Sequence, residues 1–140
     1  MDDLEAIRRL LAIYGQLLDS KRIEEWGQLF SDDAIFRVWG QTYRGREEIE
    51  REIGGMQPDL PAKHLVLQPV IDLDGEGCAR AWTDLCAAAT QDGEIKFATI
   101  GRYYDRLARD PKSGRWQIAR RVLVLGGEEV PEDVDPSPAY

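Results

Sequence analysis

Histidine occurs once in this 140-residue chain, at His64. Its side chain is the one type whose ordinary pKa lies near neutrality, so it is the first candidate for proton transfer. A lone histidine cannot build a His-rich metal site, which leaves only a mixed-ligand one. Cys78 and Cys86 are the only cysteines and have no CxxC spacing, so a disulfide framework and a cysteine zinc site are excluded. Nothing near Cys86 in sequence marks a thiol of depressed pKa. Tyr14 offers a phenol that can donate to a developing oxyanion or protonate a leaving hydroxyl. Asp19 falls in the last turn of a helical run, where its charge opposes the helix dipole. Such local violations are expected at functional sites, though not confined to them.

Each residue also has a plainer reading. A single histidine opening a strand is commonly a surface or structural residue. Asp19 suits the N-cap of a following helix. Tyr14 shares a helix face with Leu18, close to Leu10, Leu11 and Leu17, which fits core packing; its hydroxyl would still need a partner. An ideal helix does not point positions 14 and 19 the same way, so joint use of Tyr14 and Asp19 requires the helix to end or bend there.

The elements that must carry these residues are set by periodicity. Leu4, Ile7, Leu10, Leu11, Tyr14, Leu17 and Leu18 recur at three- and four-residue steps and predict an amphipathic helix. Ile23, Trp26, Leu29 and Phe30 predict a short second helix, closed by a loop at Ser31–Asp33. Ala34–Trp39 reads as a strand and Arg46–Ile53 as a third helix, stopped by Gly54 and Gly55. Then the period changes. KHLVLQPVIDL, CARAWTDLCAAAT, EIKFATIGRYYDRL and RWQIARRVLVL are β-rich runs separated by DGEG, QDG and DPKSG, an antiparallel meander of hairpins. Helices first and strands second predict an α+β fold, a curved antiparallel cone or barrel with the helices across its open side and a pocket between.

Residues 1–125 form one domain on this reading, and the acidic, Pro-rich segment 126–140 is an extended or disordered arm. Lys+Arg number 18 against Asp+Glu 26, a net charge of −8, which disfavours nucleic acid and anionic membranes as partners. No apolar run approaches the roughly 20 residues that span a bilayer. MDDLEAIRRLL opens with acids rather than a basic region and an apolar run, so a cytoplasmic location is expected.

The order of elements resembles the nuclear-transport-factor-2-like superfamily, and most closely its SnoaL-like branch. The carriers are IRRLLAIYGQLLDSKRIEEWGQLFSDDAIF, QTYRGREEIE, KHLVLQPVIDLDGEGCARAWTDL and GRYYDRLARDPKSGRWQIARR. Enzymes of the scytalone dehydratase, bile-acid 7α-dehydratase and hexachlorocyclohexane dehydrochlorinase type are similar in pairing an Asp that ends the first helix with a His that opens the third strand. The resemblance puts Asp19 and His64 at those positions, and Tyr14 at the spacing of the bile-acid enzyme's tyrosine. It implies a base, His64, oriented by Asp19, with Tyr14 as acid or oxyanion donor. A further acid of the dehydratases falls near Cys86 here, where Asp84 serves only if the register allows. The base and second acid of the ketosteroid isomerases would fall near Val38 and Gly101 and are missing.

An Asp–His pair suits removal of a proton next to an activating group, followed by elimination or isomerisation, with no metal or organic cofactor. The expectation is a cofactor-independent lyase, dehydratase-like, acting on a cyclic or polycyclic apolar small molecule. An isomerase or polyketide-type cyclase, or a non-catalytic binding module, are the alternatives. Trp26, Phe36, Val38, Trp82, Ile100 and Tyr103 are candidate cavity walls. Alternation places Arg80, Trp82, Asp84 and Cys86 on one strand face, which either joins the wall or meets solvent or another subunit. Arg102, Arg120 and Arg121 could hold an anionic group or simply be exposed. A homodimer or homotrimer is expected from the uncovered sheet face.

Overall fold

A computed structural model describes residues 1–138. Helix α1 (Asp3–Asp19) starts at Asp2, whose side chain accepts from the Glu5 amide at 2.8 Å, so an orphan donor of the first turn is satisfied. Its buried stripe is Ile7, Leu10, Leu11, Tyr14, Leu17 and Leu18, as predicted except that Leu4 is only half-buried. The helix stops in a Schellman turn. Lys21 takes the left-handed conformation (φ 58°) that glycine usually fills, and the Arg22 amide reaches back to the Leu17 carbonyl at 3.0 Å. Helix α2 (Ile23–Gly27) buries Trp26, and α3 (Arg46–Ile49) runs on into a π-helical turn at Glu50–Gly54.

The strands are β1 (Phe30–Val38), β2 (Gln41–Arg44), β3 (Ala62–Val66), β4 (Val70–Leu73), β5 (Cys78–Gln91), β6 (Glu94–Arg109) and β7 (Trp116–Leu125). They form one curved, unclosed sheet in the order β2-β1-β7-β6-β5-β3, with β4 also pairing β5. The α+β class and the covering N-terminal helices are as expected. Several details differ. Ser31–Asp33 is not a loop but an irregular stretch of β1, where the register against β7 shifts between Phe30 and Ile35. The β1–β7 pairing is parallel, β2 was not foreseen, and KHLVLQPVIDL divides into two strands about Gln68–Pro69, where proline cannot continue a ladder.

The core lies between α1, α2 and the inner sheet face, and is centred on Ile7, Leu11, Tyr14, Trp26, Phe30 and Ile118. A second cluster, Trp82, Tyr104, Val122, Val124 and Val134, lies on the other face. It exists because the C-terminal segment folds back. Val134 is buried there, the Trp82 indole donates to the Asp135 carbonyl at 2.9 Å, and Arg37 meets Asp133 at 3.0 Å. The described part of the arm is therefore seated on the sheet; Ala139 and Tyr140 lie outside the described residues. No helix among the described residues is long and apolar enough to cross a membrane.

Candidate functional site

Position 15 decides how closely β3 can lie against α1. A Cβ built on Gly15 would stand 3.0 Å from the His64 carbonyl oxygen and 3.3 Å from the His64 Cβ. Glycine thus lets the backbone of β3 rest on the last turns of the helix. Asp19, one turn further on, then meets His64 twice. Its Oδ2 accepts from the His64 backbone amide at 2.8 Å, and its Oδ1 lies 2.6 Å from Nδ1. Asp19 does not cap α2, whose N-cap is Arg22. A carboxylate oxygen only accepts, so Nδ1 is the donor of this bond, and in the neutral ring the free lone pair is then on Nε2. The Asp19 side chain is 5% exposed and that of His64 16%, so the pair is shielded on one side and open on the other.

That open side is a cavity of about 200 Å³. Tyr14 and Tyr103 lie at its buried end; Phe36, Val38 and Leu18 line its flank; Trp39 and Met56, both exposed, stand at its mouth. Burial lifts the Tyr14 phenol above its ordinary 10.0, against the pull of the Arg121 charge. Tyr103 is raised well above 10.0, by burial first and by Tyr14 second. Both therefore remain protonated donors at neutral pH. Behind them Arg121 is fully buried. Its guanidinium lies 4.1 Å from the Tyr14 ring centre and 3.8 Å from that of Tyr103, and it forks onto Asp105 at 2.7 and 2.8 Å. Burial works against the charge on Arg121, and the Asp105 carboxylate outweighs it.

Of the predicted residues, the fold brings together Tyr14, Asp19, His64, Phe36, Val38 and Tyr103. It separates the others from the cavity. Trp26 is wholly buried behind Tyr14, their ring centres 5.5 Å apart, and packs rather than lines. Trp82, Asp84, Cys86 and Ile100 belong to the opposite sheet face: Trp82 lies under the C-terminal arm, and the other three border an outer groove. The register also denies Asp84 the role of the further acid. It points outward to Arg102, with Arg102 Nε 2.6 Å from its Oδ1, and the residue paired with His64 is Ala87. Among the described residues no group of three or more His, Cys, Asp or Glu could hold a metal ion.

Asp105, Trp39 and the run Ala87–Ala89 were not singled out from sequence. Asp105 had a signal, because it alternates with Tyr103 and Leu107 on an inward strand face. The alanines had one too, since three small side chains opposite β3 leave room for a cavity.

A family model for the SnoaL-like domain matches residues 1–122. The chain belongs to the SnoaL-like domain family. No curated protein matches its sequence. Solved structures resemble it throughout. An NTF2-like protein with a cystatin-like fold from Novosphingobium aromaticivorans superposes with a TM-score of 0.81 at 23% identity, covering 91% of this chain and 84% of that one. A Mycobacterium tuberculosis protein of unknown function gives 0.80 at 24%, covering 88% and 71%. A protein assigned as a scytalone dehydratase, also from N. aromaticivorans, gives 0.75 at 23%, covering 88% and 83%. At these identities the likeness is one of fold, the NTF2-like α+β architecture.

Proposed function

We propose that this SnoaL-like domain is a cofactor-independent lyase, dehydratase-like, acting on a small cyclic, largely apolar molecule. The observation that carries the reading is the two-point grip of Asp19 on His64, beside an apolar cavity. His64 Nε2 takes a proton from a carbon next to an activating group. Asp19 stabilises the resulting imidazolium, and Tyr14 or Tyr103 donates to the oxygen that gains charge or leaves. A positioned base of this kind is worth about 10²–10⁴ in rate. The volume sets the substrate size. A dry cavity of ~150 Å³ holds a benzene ring, so about 200 Å³ takes one or two rings. The polycyclic end of the expected range fits only with rings projecting through the mouth.

Elimination and isomerisation share the proton abstraction and diverge at the second step. Incubation of cyclic ketones in D₂O reads the shared step as deuterium gain at the α-carbon, and cyclic hydroxy-ketones read elimination as loss of water by mass spectrometry. Deuterium gain that disappears in a folded His64→Ala variant is the expected result. Equal exchange by wild type and variant would remove His64 from the mechanism. The alanine opposite His64, where a further acid would assist, favours a second reading as a binding module. That reading predicts ligand binding with no exchange in either protein. Self-association as a dimer or trimer belongs to the same proposal, through the exposed apolar outer strand residues Ile95, Phe97 and Ile100.

A further inference from the structure

The turn between β1 and β2 holds a residue that its geometry does not favour. Val38 pairs with Gln41, so the turn is the two residues Trp39 and Gly40, and both have positive φ, 54° and 70°. Two positive φ values are the requirement of a type I′ turn, which prefers Asn, Asp or Gly at its first central position. A bulky residue in that conformation is an outlier, and such strain persists at ligand clamps and switch regions.

Trp39 departs from the other tryptophans in a second, independent way. It is 53% exposed, whereas Trp26, Trp82 and Trp116 are at most 7% exposed. Its position explains the cost. It borders the mouth of the His64 cavity together with Met56, Gln57 and Pro58. The segment carrying those residues is tied down from the side of the catalytic pair, because Lys21 Nζ donates to the Pro58 carbonyl just past the end of α1. Trp39 also borders a second, more open groove with Thr42, Val124 and Pro131, so the residue stands between the two.

We propose that Trp39 is a ligand-contacting, specificity-determining residue, whose indole covers the apolar outer part of a cyclic ligand while its reacting end faces His64. This rests on reading the cavity as a small-molecule site. The strained turn is the cost of presenting a flat apolar face where the enclosed volume runs out. Ligands with a second ring gain from it, and single-ring ligands that fit inside do not.

The test uses 2-decalone, a saturated bicyclic ketone that does not fluoresce, against cyclohexanone as the single-ring control. Trp39 is the accessible indole, so acrylamide quenching of intrinsic fluorescence reports on it above the buried three. Saturating 2-decalone is expected to protect it from acrylamide. Trp39→Asn, the residue the turn prefers, is expected to bind 2-decalone about tenfold or more weakly, bind cyclohexanone as before, and melt at or above the wild-type temperature. Trp39→Phe should retain most of the 2-decalone affinity. Binding of 2-decalone by wild type, with unprotected fluorescence and an unweakened Trp39→Asn variant, would overturn the role of Trp39 alone. Failure of wild type to bind either ketone would overturn the small-molecule reading of the cavity, and this proposal with it.

Discussion

Inner and outer faces of the β5–β6–β7 part of the sheet carry similar residues in opposite circumstances. Inside, Asp105 and Arg121 form an ion pair whose side chains are at most 1% exposed, stacked under two tyrosines. Outside, Asp84 and Arg102 form a pair of similar length with side chains 51% and 42% exposed. Water screens the outer charges and replaces either partner cheaply, whereas the inner pair has nothing else to turn to. Charge near the cavity is therefore held in fixed places, by Asp19 on His64 and by Asp105 on Arg121. The outer charges decorate the sheet and fasten its C-terminal arm.

The contrast is open to breakage by substitution. Asp105→Ala should cost about 3–5 kcal/mol in urea unfolding, because it strands a buried guanidinium; pairing Asp105→Leu with Arg121→Met should recover much of that. A loss below ~1 kcal/mol for Asp105→Ala would mean the two faces are electrostatically alike. Val134→Asp places a charge in the cluster around Trp82 and Tyr104. It should cost about 1–3 kcal/mol and expose Trp82 to acrylamide, while ketone exchange at the cavity persists.

Alkaline titration sharpens the comparison from another side. The folded phenols of Tyr14 and Tyr103 are raised above 10.0, the value they take when unfolded. Their contribution to stability is thus complete below pH 10 and is lost as pH climbs from there toward the folded values. Each contributes a slope of up to about 1.4 kcal/mol per pH unit. Unfolding free energies measured across this range should fall more gently in Tyr103→Phe. At the small end, Arg102→Ala should change stability by about 0–1 kcal/mol, with the effect fading in added salt.

What could be read from sequence came from local rules. The α1 stripe and the three meander turns announce themselves through periodicity and turn chemistry, and the positions of Asp19, His64 and Tyr14 came through family resemblance. Alternation correctly grouped Arg80, Trp82, Asp84 and Cys86 on one face. It could not say that this face looks away from the helices, because period two is blind to which side the core lies on. Trp82 was misleading for the same reason: its burial comes from Val134 and Asp135, some fifty residues away, in a segment whose composition suggested an extended or disordered arm. Gly15 gave no sign of its role either, since only the approach of β3 shows why a side chain there would intrude.

The central claim is that Asp19 holds His64 with Nε2 free toward the cavity. Nitrogen-15 NMR of the single imidazole at neutral pH tests it directly, with no assignment ambiguity. The hydrogen bond of 2.6 Å at Nδ1 predicts that the neutral ring carries its proton on Nδ1, and that Asp19→Ala releases it to an Nε2–H or mixed population. A wild-type ring protonated on Nε2, unchanged by Asp19→Ala, would contradict the account and leave the cavity without a base.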